Sequence, residues 1–144
     1  MVAAILFYDV VLAVHILAVV AAFGVWFAYP LLVARGDADA HRAQVRVARM
    51  VVTPSGTVAL AAGVYLATDR HYWSEAWVGV PLLILIALMG LTGAYFIPRQ
   101  ERLAELAEAG GGPEYAALAV QVARVAFAAA GLVVVAIFFM VVQP

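Results

Sequence analysis

The sequence predicts an all-α fold: an integral membrane antiparallel four-helix bundle, with both termini outside and two helical hairpins protruding into the cytoplasm. Three observations carry this reading. The 144 residues are 67% hydrophobic and 12% charged, with a mean hydropathy of +1.05, far from the usage of soluble domains. Four apolar runs, at about 10–33, 51–68, 77–97 and 125–142, come close to or exceed the roughly 20 helical residues that cross a hydrocarbon core of about 30 Å. The arginines are placed asymmetrically. Arg35, Arg42, Arg46 and Arg49 lie in the first connection, Arg99, Arg102 and Arg124 in or beside the third, and only Arg70 in the second. By the positive-inside rule, connections one and three face the cytoplasm.

Each run must be helical, because a backbone amide left unpaired in lipid costs several kcal/mol, and short connections make neighbouring helices antiparallel. The first run has no basic segment before it and is too long for a signal peptide, so it reads as a retained span of a single domain covering 1–144. After Gly36, either Asp37 or Asp39 can cap a helix that runs straight into the second span. Within that span Pro54 and Gly56, in the stretch TPSGT, predict a kink, with Ser55 or Thr57 serving the freed carbonyls. The third helix should continue past Pro98 to about Ala109, break at three glycines and restart at Pro113. An outer aromatic belt is expected from Tyr8, Tyr72, Trp73 and Trp77, and an inner one from Trp26, Tyr29, Tyr95 and Tyr115. Helix packing should use the small pairs Ala18/Ala22, Ala59/Gly63, Gly90/Ala94 and Ala126/Ala130.

Two charge stripes stand above the membrane. Arg42, Arg46 and Arg49 recur at helical spacing on the second helix, and Glu101, Glu105 and Glu108 do so on the third. Because these helices are antiparallel, the stripes match level by level and predict a structural ladder of ion pairs that fixes their register.

Composition also excludes several functions. With a net charge of -1 and no lysine, the chain lacks the basic footprint of nucleic-acid binding. With no cysteine it has no disulfide, iron–sulfur or thiolate-haem chemistry. No catalytic nucleophile motif or phosphate loop is present. The expected partners are the lipid bilayer and further helices, from a second copy of the chain or a larger membrane complex.

His15 breaks the first apolar run about five residues from its outer edge, roughly 8 Å deep. A polar side chain within a membrane normally faces the bundle interior, and the face carrying Tyr8, Val11, Ala18, Ala22 and Trp26 supplies small neighbours beside it. Met140 and the loop TDRHYWSEAW, with Arg70 and His71, fall on the same side. An imidazole, a second ligand and an arginine beside small apolar walls suit haem b: the iron takes histidine with histidine or methionine, and the propionates take a cation. His15 is then the first ligand, His71 or Met140 the second, and Arg70 the propionate partner. A copper site is the weaker option, since the four methionines are scattered. The alternatives are a ligand-free structural or assembly protein, in which His15 only hydrogen-bonds across the bundle, and a pathway for a small solute or ion.

The stretch HILAVVAAFGVWFAYPLL resembles the first helix of HemJ-type protoporphyrinogen IX oxidases and of copper-resistance D domains, and ARMVVTPSGTVALAAGVYL is similar to the HemJ-type second helix. The whole chain, with its Trp-rich loop, its PRQERLAELAEAGGGPEY hinge and an apolar tail ending in Pro144, resembles a family of predicted bacterial four-helix integral membrane proteins of unknown function. The resemblance implies a multi-pass protein of the bacterial plasma membrane. It also implies that His15 occupies the position of the haem-ligand or metal-associated histidine. HemJ-type proteins also use a lysine in the third helix, which this chain lacks, so the resemblance extends to haem binding, with a redox or electron-transfer role, rather than to oxidase activity.

Overall fold

The computed structural model describes residues 2–143, so Pro144 at the end of the apolar tail lies outside the described residues. Four helices, α1 (Val2–Arg35), α2 (Ala38–Asp69), α3 (Ala76–Glu108) and α4 (Pro113–Val142), run up and down, and all four are long and apolar enough to cross a membrane. In the bundle α1 packs on α2 and α4, and α3 packs on α4 and α2, which sets α1 and α3 across the diagonal. One end carries the termini and the α2–α3 loop, here the terminal end. The other carries the two tight connections, here the hairpin end.

Local chemistry explains the turns. Gly36 takes φ +75°, open to glycine without strain, and Asp37 caps α2 by accepting the Ala40 amide at 2.7 Å. Of the two aspartates weighed as caps, Asp37 is the one used. Gly110, Gly111 and Gly112 all have positive φ, and Pro113 opens α4, where its missing N–H is no loss.

Neither α2 nor α3 is uniform. Each contains a single π turn, Ala48–Val52 in α2 and Thr92–Phe96 in α3, and each π turn is followed two residues later by a proline, Pro54 or Pro98. A helical proline withholds an amide and crowds the carbonyl four residues back. The wider turn re-routes the ladder, so that the Thr53 amide reaches Ala48 O and the Ile97 amide reaches Thr92 O. Thr53 Oγ1 also donates to Ala48 O at 2.9 Å, and Thr57 Oγ1 donates to Thr53 O at 2.9 Å. Thr53 and Thr57 therefore serve the loosened carbonyls, the part expected of Ser55 or Thr57.

The core is built from small residues and one aromatic cluster. Ala18, Ala22, Ala59, Ala126, Ala129 and Ala136 are buried and let the backbones approach closely. Gly90 and Ala94, expected at an interface, instead lie on the exposed face of α3. Trp26 and Tyr29, expected in an interfacial belt, are each only 1% exposed. Trp26 meets Phe96 edge-on at 4.8 Å and Tyr29 at 5.1 Å, so they form the plug of the bundle.

The charge stripes meet at their ends. Arg49 pairs with Glu101 at 2.7 Å and Arg42 pairs with Glu108. In the middle, Arg46 has no carboxylate partner among the described residues, and Glu105 turns to Arg102 on its own helix at 3.2 Å. Arg102 also crosses to Glu114 of α4 at 2.8 Å, which draws Glu105 away from α2. Double-mutant cycles should accordingly give a coupling of about 0.2–1 kcal/mol for Arg49 with Glu101, the range for exposed pairs, and none for Arg46 with Glu105. Equal coupling in both cycles would contradict this pairing.

Candidate functional site

His15 sits on the buried stripe of α1 and reaches α2. Its Nδ1 lies 2.8 Å from Ala59 O. A carbonyl only accepts, so Nδ1 carries the proton and the neutral ring keeps its lone pair on Nε2. That nitrogen has no hydrogen-bond partner among the described residues. The ring comes this close because Gly63, one turn beyond Ala59, has no side chain. A Cβ at position 63 would stand 3.0 Å from His15 Cε1, tighter than ordinary contact. The pair Ala59 and Gly63 thus seats an imidazole rather than only a neighbouring helix.

Below the terminal end the four helices line a half-open cavity of about 540 Å³, within the roughly 300–1,000 Å³ of small-molecule and cofactor sites. His15, Phe23, Gly63, Ala67, Leu85 and Met140 are among its walls, with Tyr8, Tyr72, Trp73 and Trp77 also lining it. Much of the expected outer aromatic belt is therefore the lining of a cavity. The surfaces are apolar apart from the imidazole, a few hydroxyl and indole groups and Gln143.

The structure brings together some of the candidate site residues and separates others. His15 and Met140 line the same cavity. Arg70 does not line it, but its guanidinium lies 4.3 Å from the centre of the Tyr8 ring, a residue that does, and 3.6 Å from Asp69. His71 is exposed and occupies the left-handed region at φ 60°, where it ends α2 before the short 3₁₀ turn Tyr72–Ser74. His71 is not among the residues that line the cavity. No group of three or more His, Cys, Asp or Glu positioned to hold a metal ion occurs among the described residues.

A second polar assembly lies toward the hairpin end, and the sequence reading missed it. His41, Gln44 and Gln100 are all at most 2% exposed. Gln100 Nε2 donates to Gln44 Oε1 at 2.8 Å, which leaves Gln100 Oε1 to accept from His41 Nδ1 at 2.7 Å. His41 Nε2 then accepts from the Tyr115 hydroxyl at 2.9 Å. The chain of bonds ties α2, α3 and α4 together and leaves only Gln44 Nε2 without a partner. The signal was present in outline: His41 and Gln44 share an i, i+3 face beside the arginine stripe, and Gln100 precedes Glu101. Polar residues next to charged ones, however, read as a solvated surface.

Replacing Gln100 with leucine should destabilise the bundle by about 2 kcal/mol or more, because His41 Nδ1 and Gln44 Oε1 both lose their partner while buried, at about 1–3 kcal/mol per unsatisfied group. Steric-trapping unfolding in bicelles measures this. A neutral result would mean that the layer is hydrated.

Comparison with protein-family models, with curated proteins and with solved structures finds no match to this chain.

Proposed function

We propose that the cavity holds haem b and that the protein serves a redox or electron-transfer role in the membrane, alone or as a subunit of a larger assembly. One observation carries the reading: His15 Nε2 is unpartnered, held by the Nδ1–H bond to Ala59 O at 2.8 Å, and belongs to a cavity that Met140 also lines. A ligating histidine characteristically donates its other ring N–H to a carbonyl or carboxylate, which fixes the tautomer and ring orientation. Haem bound there would supply one-electron chemistry, and a methionine ligand would raise its potential. The chain's own residues do the rest. His15 and Met140 would hold the iron, Gly63 and Ala67 leave space for a flat ring, and Phe23 and Leu85 exclude water. Arg70, at the rim over Tyr8, would meet the propionates.

The interhelical bond alone is also what a purely structural histidine makes. The haem reading is favoured by where the ring stands, since His15 is among the walls of the cavity rather than packed wholly within the core. The resemblance of the first two helices to HemJ-type proteins supports the haem reading and a bacterial plasma-membrane location.

Purified from cells supplied with haem, the protein should show a Soret band. His15→Ala should lose it while the bundle remains folded. Met140→Leu should keep the haem with an altered reduced-minus-oxidised spectrum, and His71→Ala should leave the spectrum unchanged. A folded wild-type protein that purifies colourless under these conditions would refute the proposal and leave His15 as a clamp between α1 and α2.

The orientation proposed with this function places the terminal end, and hence the cavity, outside the cytoplasm, since seven of the eight arginines lie in or beside the hairpin-end connections. Single cysteines at Ser74 and Ala109 should react with a membrane-impermeant maleimide from opposite sides in spheroplasts and inverted vesicles. Labelling of both from one side would reject the topology.

A further inference from the structure

The two π turns stand at one level of the bundle. On their hairpin side, Gln44 of α2 meets Gln100 of α3. On their terminal side, Gly56 of α2 is packed under the Met89 thioether of α3. Both Ala48–Val52 and Thr92–Phe96 fall between these two contacts. Pro54 and Pro98 fall there as well, so two antiparallel helices each carry their wide turn and their proline side by side.

The bundle is built differently on either side of this level. In the hairpin half α2 and α3 pack closely, joined by Arg42–Glu108 and the buried chain through Gln100, and Arg49 of the α2 π turn itself reaches Glu101. In the terminal half they approach far less, and the cavity lies between them, bounded by Gly63 and Ala67 on one side and Pro81 and Leu85 on the other. Beyond the short loop 70–75 that joins their ends, no hydrogen bond or ion pair links α2 to α3 there among the described residues. The tie that α2 does have, from Ala59 O to His15, runs to α1.

We propose that the paired π turns are a hinge, about which the terminal halves of α2 and α3 swing apart and together while the hairpin half stays fixed, widening and narrowing the half-open cavity between them. The physical basis is that sharp bends concentrate at prolines and π turns, where the hydrogen-bond ladder is already interrupted, and that π turns recur at functional sites. Two such points at one level allow neighbouring helices to bend together without sliding past each other elsewhere. The inference goes beyond haem binding, because it concerns access to the cavity whichever molecule fills it.

The test uses the cysteine-free chain in phosphatidylcholine nanodiscs, with spin labels read by pulsed electron resonance. Labels at Ala61 and Ile86, exposed positions on the terminal halves of α2 and α3, should give two resolved distances or one broad distribution. Labels at Ala43 and Ala109, exposed at the hairpin end, should give one narrow distance. A π turn holds one residue more than an α turn, so deleting Met50 with Pro54→Ala, and Ala94 with Pro98→Ala, restores an unbroken helix with both flanking faces in register. In this straightened protein the Ala61/Ile86 distribution should collapse to a single narrow distance, with the Ala43/Ala109 distance unchanged. A wild-type Ala61/Ile86 distribution as narrow as that of the hairpin pair overturns the hinge, whether or not the straightened protein folds. So does a folded straightened protein whose distribution stays as broad as the wild type.

Discussion

A polar group in an apolar phase has no water to turn to, and this constraint organises the molecule. It makes every span helical. It turns the Thr53 hydroxyl back onto Ala48 O beside Pro54, and it sends the one imidazole of α1 across to Ala59 O. The same bond leaves His15 Nε2 without a hydrogen-bond partner among the described residues, and the proposed ligation rests on that atom.

The bundle divides into halves that are stabilised in different ways. Toward the hairpin end, side-chain hydrogen bonds and ion pairs hold α2, α3 and α4, with specificity set by the complementary donors and acceptors of His41, Gln44, Gln100 and Tyr115. Toward the terminal end there are small residues, aromatic rings and space. Such a division is what the proposed binding role would need, since a fully packed bundle has no room for a ligand and a loosely packed one does not hold its ligands in place. The aromatic plug of Trp26, Tyr29 and Phe96 lies between the cavity and the polar layer.

What was legible in the sequence followed from chemistry that acts locally. The four spans, the Asp37 cap, the glycine break and the Pro113 restart depend on residues within a turn of one another, so they can be read in one dimension. His15 was legible as the polar residue that breaks the first apolar run. The π turns were not, because the residues that form them are ordinary and only the following prolines hint at a disturbed ladder. The buried layer was not, because glutamine and histidine beside arginine resemble a wet face until a third helix is laid over them. His71 looked like a ligand by residue type, yet the end of α2 uses its backbone and leaves its ring exposed. Gly90 and Ala94 have the spacing of a packing motif, and spacing alone does not say which face of α3 meets a neighbour.

The bond from His15 to Ala59 has a mechanical side. Ala59 O also receives the amide of Gly63 within α2, so the imidazole is fastened to the same helical turn whose missing side chain gives it room. A slide of α2 along α1 by one residue, about 1.5 Å, would carry the acceptor away from Nδ1 and bring the next side chain toward the ring. The ring would have to rotate, and the lone pair on Nε2 would rotate with it. The direction of that lone pair is therefore a gauge of axial register: strain applied to α2 between its π turn and the terminal end becomes an angle at a single nitrogen.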